Sequence, residues 1–372
     1  METAVPRRMI GTRFQTLIVQ PATLCNLDCK YCYLPSRRRQ RLMSQAVVQR
    51  LAASVEEQNA PYPVEVVWHG GEPLTTPLQH MYTLLEPFES LRQTGRVLHS
   101  VQTNATLIDH GWTDFLQRFG FRVGVSIDGP QECNDARVNR AGMPAFHKIM
   151  RGIHQLRRAG IPFMAICVVT ADTIGRTAEL LEFFSRLGCD TVGFNIEEME
   201  GLNAGRVRVT PDQARLFWRD LWQLRARYPG LRIRDLDRLR RFLSFSRGAL
   251  SLDYTDTLYD PIPTVATTGE TVVLSPELLG IDAPGYNHFV IGNVLSKSLP
   301  ALLSSLEEVR YVAEFERALR SCAARCEFWD FCQGAQAGNR FFEHGTFDIT
   351  ETAHCRNSYQ SVVRSALDHI YG

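Results

Sequence analysis

Cys25-Asn-Leu-Asp-Cys29-Lys-Tyr-Cys32 is a C-x3-C-x2-C run set directly behind the apolar stretch Phe14-Gln-Thr-Leu-Ile-Val-Gln20. Three thiolates on one loop can hold three irons of a four-iron cluster and leave the fourth iron open to chelate a small molecule, whereas a fully ligated cluster only passes electrons. Zinc is the competing occupant, but structural zinc wants four donors and usually paired C-x2-C spacing. Because the loop follows a strand-like segment, it falls at the C-terminal end of a first strand.

Outward from that loop, apolar runs at 14–20, 64–68, 97–102, 122–127, 163–169 and 191–196 alternate with amphipathic stretches at 44–59, 79–92, 109–119, 145–159 and 173–187. Strands of continuous apolar character separated by helices predict parallel βα units with both sheet faces covered. Six units are too few to close an eightfold barrel. The expected fold is therefore α/β, an open partial (β/α)6 TIM-like barrel over residues 1–200 with its chemistry at the C-terminal strand ends. Residues 201–260 read as a helical, Arg-rich bridging segment, with Thr210 as an N-cap and Pro211 at the first helical position. Its arginines over 205–241 are interleaved with Leu, Phe and Trp, which fits a solvated helix face or a docking surface for an acidic peptide.

The chain of 372 residues carries 41 basic and 40 acidic side chains, a net charge of +1. That balance gives no support to nucleic-acid or membrane binding. The start, Met1-Glu-Thr-Ala-Val-Pro-Arg-Arg-Met-Ile10, lacks the apolar core of a signal peptide, so a cytoplasmic protein is expected. Ten cysteines in such a compartment argue for metal or redox chemistry rather than disulfides. Cys133, Cys167 and Cys189 stand alone and read as small buried hydrophobes. Cys322-x3-Cys326-x5-Cys332-x22-Cys355 forms a second set, over a third region at 261–372. Four thiolates complete a cluster's ligation and suit electron transfer, although zinc also accepts four cysteines.

The later strand candidates end in Trp68-His-Gly-Gly-Glu-Pro-Leu74, Val101-Gln-Thr-Asn-Ala-Thr-Leu107 and Gly124-Val-Ser-Ile-Asp-Gly-Pro130. Paired glycines let a backbone approach a ligand closely. In this order behind the cysteine loop, the turns resemble those of radical S-adenosylmethionine (SAM) enzymes, in the branch that modifies peptides and sulfatases. The C-terminal cysteines resemble the SPASM extension of that branch, together with Gly269-Glu-Thr-Val-Val273, Phe289-Val-Ile-Gly-Asn-Val294 and Cys332-Gln-Gly-Ala-Gln-Ala-Gly-Asn339.

The resemblance implies a SAM-chelating 4Fe-4S cluster on Cys25, Cys29 and Cys32, next to Tyr31, and an auxiliary 4Fe-4S cluster on Cys322, Cys326, Cys332 and Cys355. Gly70, Gly71 and Glu72 would hold the amino group of SAM, Ser126 would touch SAM, and Asn104 and Asp128 would line its pocket. Arg137 or Arg140 would pair with the SAM carboxylate, as bidentate binding suits arginine. A full SPASM extension holds two clusters, but Ser275, Ser296 and Gln336 stand where thiols of the inner one would fall, so two clusters in all are expected.

Phe194-Asn-Ile-Glu-Glu-Met-Glu-Gly201 and Leu274-Ser-Pro-Glu-Leu-Leu-Gly280 resemble maturases that crosslink ribosomal peptides, nearest the cyclophane-forming group acting on glycine-rich-repeat precursors. By that resemblance a 5′-deoxyadenosyl radical abstracts hydrogen from the substrate, and a carbon–carbon bond joins an aromatic ring to a β-carbon. Glu277 first and Asp282 second are the candidates for taking the proton. The expected partners are a precursor peptide with its leader and a flavodoxin- or ferredoxin-type electron donor. Fewer than about 15 residues precede the first strand, so no separate leader-binding fold is expected there. The alternatives are another radical SAM oxidation, such as formylglycine or thioether formation, and a non-enzymatic zinc scaffold.

Overall fold

The computed structural model describes residues 8–203, 205–246 and 258–371; most of the N-terminal decapeptide and residues 247–257 of the bridging segment lie outside the described residues. Six strands, β1 (Thr16–Val19), β2 (Val64–Trp68), β3 (Val97–Thr103), β4 (Arg122–Ser126), β5 (Phe163–Val169) and β6 (Thr191–Ile196), each pair in parallel with the next. Helices cross between them at Gln45–Gln58, Leu78–Leu85, His110–Arg118, Phe146–Arg158 and Thr177–Leu187. This is the expected partial barrel. The predicted helix over 79–92 is divided by a 3-10 turn at Glu86–Phe88, where Pro87 has no N–H for an α-helical bond. The helix predicted from 173 starts at Thr177, because Thr170 and Thr173 close a turn in which Thr173 Oγ1 accepts from Thr170 N at 3.0 Å.

The same sheet runs on at both edges. β7 (Arg232–Ile233) adds in parallel to β6, while β8 (Thr264–Val265) adds in parallel to β1 and leads into the antiparallel strands β9 (Glu270–Val272) and β10 (Gly292–Asn293). The order is β10-β9-β8-β1-β2-β3-β4-β5-β6-β7, so the boundaries expected near 200 and 260 fall between strands of one sheet. Burial alternates strictly along β1, β2 and β5, with one face fully buried and the other half-buried. A barrel that does not close leaves its inner face reachable, which both-face apolar runs did not announce.

In the bridging segment, Thr210 caps the helix Pro211–Leu224 in a capping box with Gln213, as its sequence predicts. That helix packs against the C-terminal helix Ser361–Tyr371, and Trp218 Nε1 donates to Asn357 O at 2.7 Å. The arginines here have partners within the chain: Arg206 with Glu197, Arg215 with Asp368, Arg234 with Asp235, and Arg238 over Phe331 and Tyr359. Among the described residues no helix is long and apolar enough to cross a membrane.

His99 of β3 is buried between aromatic rings, accepting from Trp68 Nε1 at 3.2 Å and stacked on Phe121 with ring centres 5.2 Å apart. Burial pushes its imidazole down from 6.5 to about 3. The folded state therefore binds this proton less readily than the unfolded state. Its contribution is fully present above pH 6.5 and lost as pH falls toward about 3. His99→Phe should flatten the stability profile over that window by a few kcal/mol relative to the parent, measured by denaturant unfolding at a series of pH values. At neutral pH it should cost about 1–3 kcal/mol through the orphaned Trp68 N–H.

Candidate active site

Backbone contacts from three directions hold the cysteine loop. Cys25 N donates to Arg37 O at 2.8 Å, and Thr23 N to Arg41 O at 3.1 Å, so a ribbon of residues 37–41 runs along its first limb. Asp28 N and Lys30 N donate to Val138 O and Ala136 O at 2.7 and 2.9 Å, which ties the middle of the loop to the segment beyond β4. From β2, Glu72 N donates to Leu24 O at 2.8 Å. Gly71 has φ +63°, and a Cβ there would lie 2.6–2.8 Å from the carbonyls of Leu24, Thr23 and Ala22. The Gly-Gly-Glu turn thus sets the loop's height above the sheet.

Glu72 is buried, with Oε1 accepting from Thr103 Oγ1 at 2.6 Å and from Leu74 N at 3.2 Å, and Oε2 accepting from Asn104 N at 2.7 Å. Burial outweighs these donors and lifts its carboxyl to about 7. The carboxylate thereby clips the end of β2 to the end of β3. Asn104 Nδ2 lies 3.9 Å from Cys25 Sγ and donates to Asn26 Oδ1 at 2.9 Å, which puts a side-chain amide against the first thiol. Ala105, with φ +59°, turns the chain here, and its carbonyl fills the space a side chain at Gly152 would need, 1.8 Å from an added Cβ.

Asp128, just past β4, is buried with four partners. Oδ2 accepts from Tyr31 OH at 2.6 Å; Oδ1 accepts from Arg137 Nη2 at 2.8 Å and Val168 N at 2.9 Å; and its own N donates to Asn134 Oδ1 at 2.9 Å. The Arg137 guanidinium lies 5.4 Å from the Tyr31 ring centre and is buried. Tyr31 and Arg137 are therefore tied to Asp128 beneath the loop. Arg140 is exposed, and its Nη2 reaches Cys25 O at 3.2 Å. Ser126 Oγ, at the end of β4, accepts from Gln102 Nε2 at 2.8 Å. These contacts link Tyr31, Gly71, Glu72, Asn104, Asp128, Arg137 and Arg140 to the cysteine loop, whereas Gly70 lies against Gln20 and Ser126 bonds to Gln102.

These three thiols are half-buried and unpaired. Burial pushes Cys25 and Cys32 up and Cys29 up to about 11, and the Glu72 carboxylate adds to the effect at Cys25. Such thiols become thiolates when a cation of high charge supplies the compensation, which is the chemistry of an iron–sulfur donor set. At the far end of the chain Cys322, Cys326, Cys332 and Cys355 line one hollow, together with Trp329, Arg340 and Tyr359. Buried Arg340 approaches Cys322 Sγ at 3.8 Å through Nη2. Cys332 and Cys355 share a hydrogen bond that pushes Cys355 down and Cys332 up. Among the described residues no three His, Cys, Asp or Glu side chains converge as a single-ion site. Four thiols spread around a hollow fit a multi-iron cluster better than one zinc ion.

The two candidate acids part company. Asp282 is exposed and pairs at the surface with His288 Nδ1 at 3.2 Å. Glu277 turns inward, where Oε2 accepts from Ser275 Oγ at 2.6 Å beside Tyr33, Glu200 and Glu198. Burial raises its carboxyl. Sequence reading singled out neither His354 nor Asn339, and it quoted Glu198 and Glu200 without a chemical role. His354 Nδ1 lies 2.8 Å from Glu198 Oε1, and Asn339 Nδ2 donates to both glutamates. The one available signal was adjacency, since His354 precedes a cysteine of the second set.

Residues 19–184 match the family model of the radical SAM superfamily. A relative from Synechocystis, the uncharacterized protein sll1766, is 31% identical over 366 residues, covering 94% of this chain and 90% of that protein. The serine-type anaerobic sulfatase-maturating enzyme of Bacteroides thetaiotaomicron is 32% identical over 187 residues, 48% of this chain and 45% of that enzyme, so the match spans about half of each. Among solved structures, native anSMEcpe with bound AdoMet and Cp18Cys peptide superimposes with a TM-score of 0.77 at 21% identity, covering 95% of this chain and 97% of that one. Streptococcus suis SuiB bound to precursor peptide SuiA gives 0.65 at 14% identity, covering 92% and 76%. The chain belongs to the radical SAM superfamily and is an enzyme, with SAM and 4Fe-4S chemistry as its cofactor set.

Gly71→Ala should displace the cysteine loop, since the new methyl meets three backbone carbonyls at a φ that L-residues avoid. The expected outcome is a loss of about 2–4 kcal/mol of stability with reduced iron retention at the N-terminal site, measured by thermal unfolding and iron analysis.

Proposed function

We propose that this enzyme is a peptide maturase that installs a carbon–carbon crosslink, joining an aromatic ring to a β-carbon in a ribosomally made precursor. The observation that carries the reading is a convergence. Segments 194–201 and 274–280, which resemble crosslinking maturases, lie far apart in sequence, yet half-buried Glu198 and Glu277 both act electrostatically on buried Glu200, and Glu200 and Glu277 on Tyr33. A groove of about 220 Å³ between the ribbon of residues 34–41 and the extension, lined by Leu34, Arg39, Arg41, Thr267 and Leu279, offers a peptide a place to dock two residues from Glu277 in sequence.

Bound at Cys25, Cys29 and Cys32, the cluster and SAM supply a 5′-deoxyadenosyl radical able to take hydrogen from an unactivated carbon. The chain supplies the rest. Gly70, Gly71 and Glu72 hold the loop and present backbone toward SAM, while Ser126 and Asn104 border it and Asp128 fixes Tyr31 and Arg137 below it. Arg140, exposed and at the carbonyl of Cys25, is better placed for the SAM carboxylate than buried Arg137. Glu277, raised by burial, takes the proton when the crosslinked ring regains aromaticity. The hollow at Cys322, Cys326, Cys332 and Cys355 holds one auxiliary cluster for the departing electron, and a flavodoxin- or ferredoxin-type protein supplies reducing electrons. Ser275 is buried on Glu277, and Ser296 and Gln336 are exposed, so the inner cluster's three expected positions carry no thiol.

Formylglycine formation is the second reading, favoured by the identity shared with sulfatase-maturating enzymes over half the chain. The two separate cleanly. Anaerobic enzyme with SAM, reductant and a glycine-rich-repeat peptide bearing aromatic residues should yield a product lighter by two hydrogen atoms and unreactive to aminooxy reagents. An aldehyde trapped from a Ser- or Cys-containing sulfatase peptide would establish the alternative. The holoenzyme should hold about eight irons, falling to about four in a Cys322→Ala/Cys326→Ala variant that still cleaves SAM but forms no crosslink.

A further inference from the structure

Behind Glu277, whose charge acts on Glu200, a short polar line joins Glu200, Asn339 and Glu198. Asn339, with no exposed surface, stands between two glutamates, donating through Nδ2 to Glu198 Oε2 and to Glu200 Oε1, the latter at 3.2 Å. Its Oδ1 is buried and has no hydrogen-bond partner among the described residues. A buried acceptor without a donor calls for an O–H, either a protonated carboxyl or a water. On the far side Glu198 borders a small cavity of about 20 Å³, room for a single water, lined by Met199, Arg208, Val209, Glu343 and His354. His354 Nε2 is buried there and also has no partner.

We infer that Glu200, Asn339 and Glu198 form a proton path that carries the proton taken by Glu277 across the protein to the cavity beside Arg208. Asn339 brings Glu198 and Glu200 to one amide, and two carboxyls so close do not both ionise readily, so the pair holds a proton at rest. Burial, then Glu277, then Glu198 keep Glu200 protonated. The other groups facing it are Tyr33 from the cysteine loop, Glu343 from the helix Gly338–His344, and His354. Arg208, which among the described residues bonds to Met199 Sδ, lines the cavity, and Glu197 there is neutralised by Arg206.

The path rests on the crosslinking reading for its supply of protons. Formation of the aryl–carbon bond leaves one hydrogen too many on the ring. Breaking that C–H bond releases a proton to Glu277 and one electron, which an oxidised 4Fe-4S cluster held by Cys322, Cys326, Cys332 and Cys355 would accept. The proton already held at Glu200 passes to Glu198 and on to water in the cavity, and Glu277 reprotonates Glu200. Glu198 and Glu200 are thus positioning and proton-holding residues and do not touch the substrate.

Infrared difference spectroscopy on the anaerobic holoenzyme tests the path without a substrate. At neutral pH we expect a protonated-carboxyl carbonyl band that shifts down in D2O and disappears in Glu200→Gln, an isosteric change whose folding is checked by iron content and melting temperature. Absence of the band, or its persistence in Glu200→Gln, overturns the inference whatever the fate of the crosslinking reading. With a crosslinked peptide in hand, Glu198→Gln should cut product formation about tenfold while 5′-deoxyadenosine release is unchanged. Equal losses of both would reduce Glu198 to a packing role.

Discussion

Everything at the C-terminal face of the sheet depends on how closely one backbone can approach another at Gly71. The carbonyls of Ala22, Thr23 and Leu24 occupy the space of its missing side chain, and the next residue's N–H bonds to the last of them. That contact places three cysteines at a fixed height above β1 and β2. Glu72 then turns its carboxylate away from the loop to accept from the end of β3, so one dipeptide joins three consecutive strand ends. A side chain at 71 or a shorter acid at 72 would break the arrangement at its narrowest point.

A second constraint lies one strand further on. Asp128 and Arg137 form a buried ion pair 2.8 Å long, and Tyr31 completes it from the cysteine loop. Buried pairs add little net stability, but removing one partner strands the other charge at a cost of about 3–5 kcal/mol. The pair therefore acts chiefly as a specifier. Only one placement of the loop lets the Tyr31 hydroxyl reach the carboxylate, and the guanidinium under the ring favours the same placement.

Much of this was legible in the sequence because the determinants are local. Strand periodicity, the cysteine spacing, the Gly-Gly-Glu turn and the Thr210 capping box each sit within a few residues, and each appears where its pattern predicts. The two segments that resemble crosslinking maturases were also legible, but not their meeting. Glu200 follows β6 and Glu277 follows β9, strands far apart in the sheet order, so their electrostatic coupling arises only in the folded chain. No one-dimensional pattern encodes that coupling. For the same reason Asp282 and Glu277, five residues apart, read alike and fold to opposite environments: one beside His288 in solvent, the other against Ser275 in the interior.

Ser275 shows why the missing thiols matter beyond ligand counting. Its hydroxyl, buried against Gly338, donates to Glu277, so the residue standing where an inner-cluster cysteine would fall helps orient the carboxyl instead. A cluster at that point would occupy the ground now held by Glu277, Glu200 and Asn339. A metal centre and a set of buried, proton-sharing carboxyls are alternative ways to fill one space between barrel and extension. They differ in what they can move: a cluster passes electrons, whereas carboxyls that do not all ionise readily hold and pass protons. With its thiols confined to the outer hollow, this chain has separate places for the two particles that a rearomatising ring must lose. The electron has the Cys322–Cys355 hollow, and the proton has Glu277 with the carboxyls behind it.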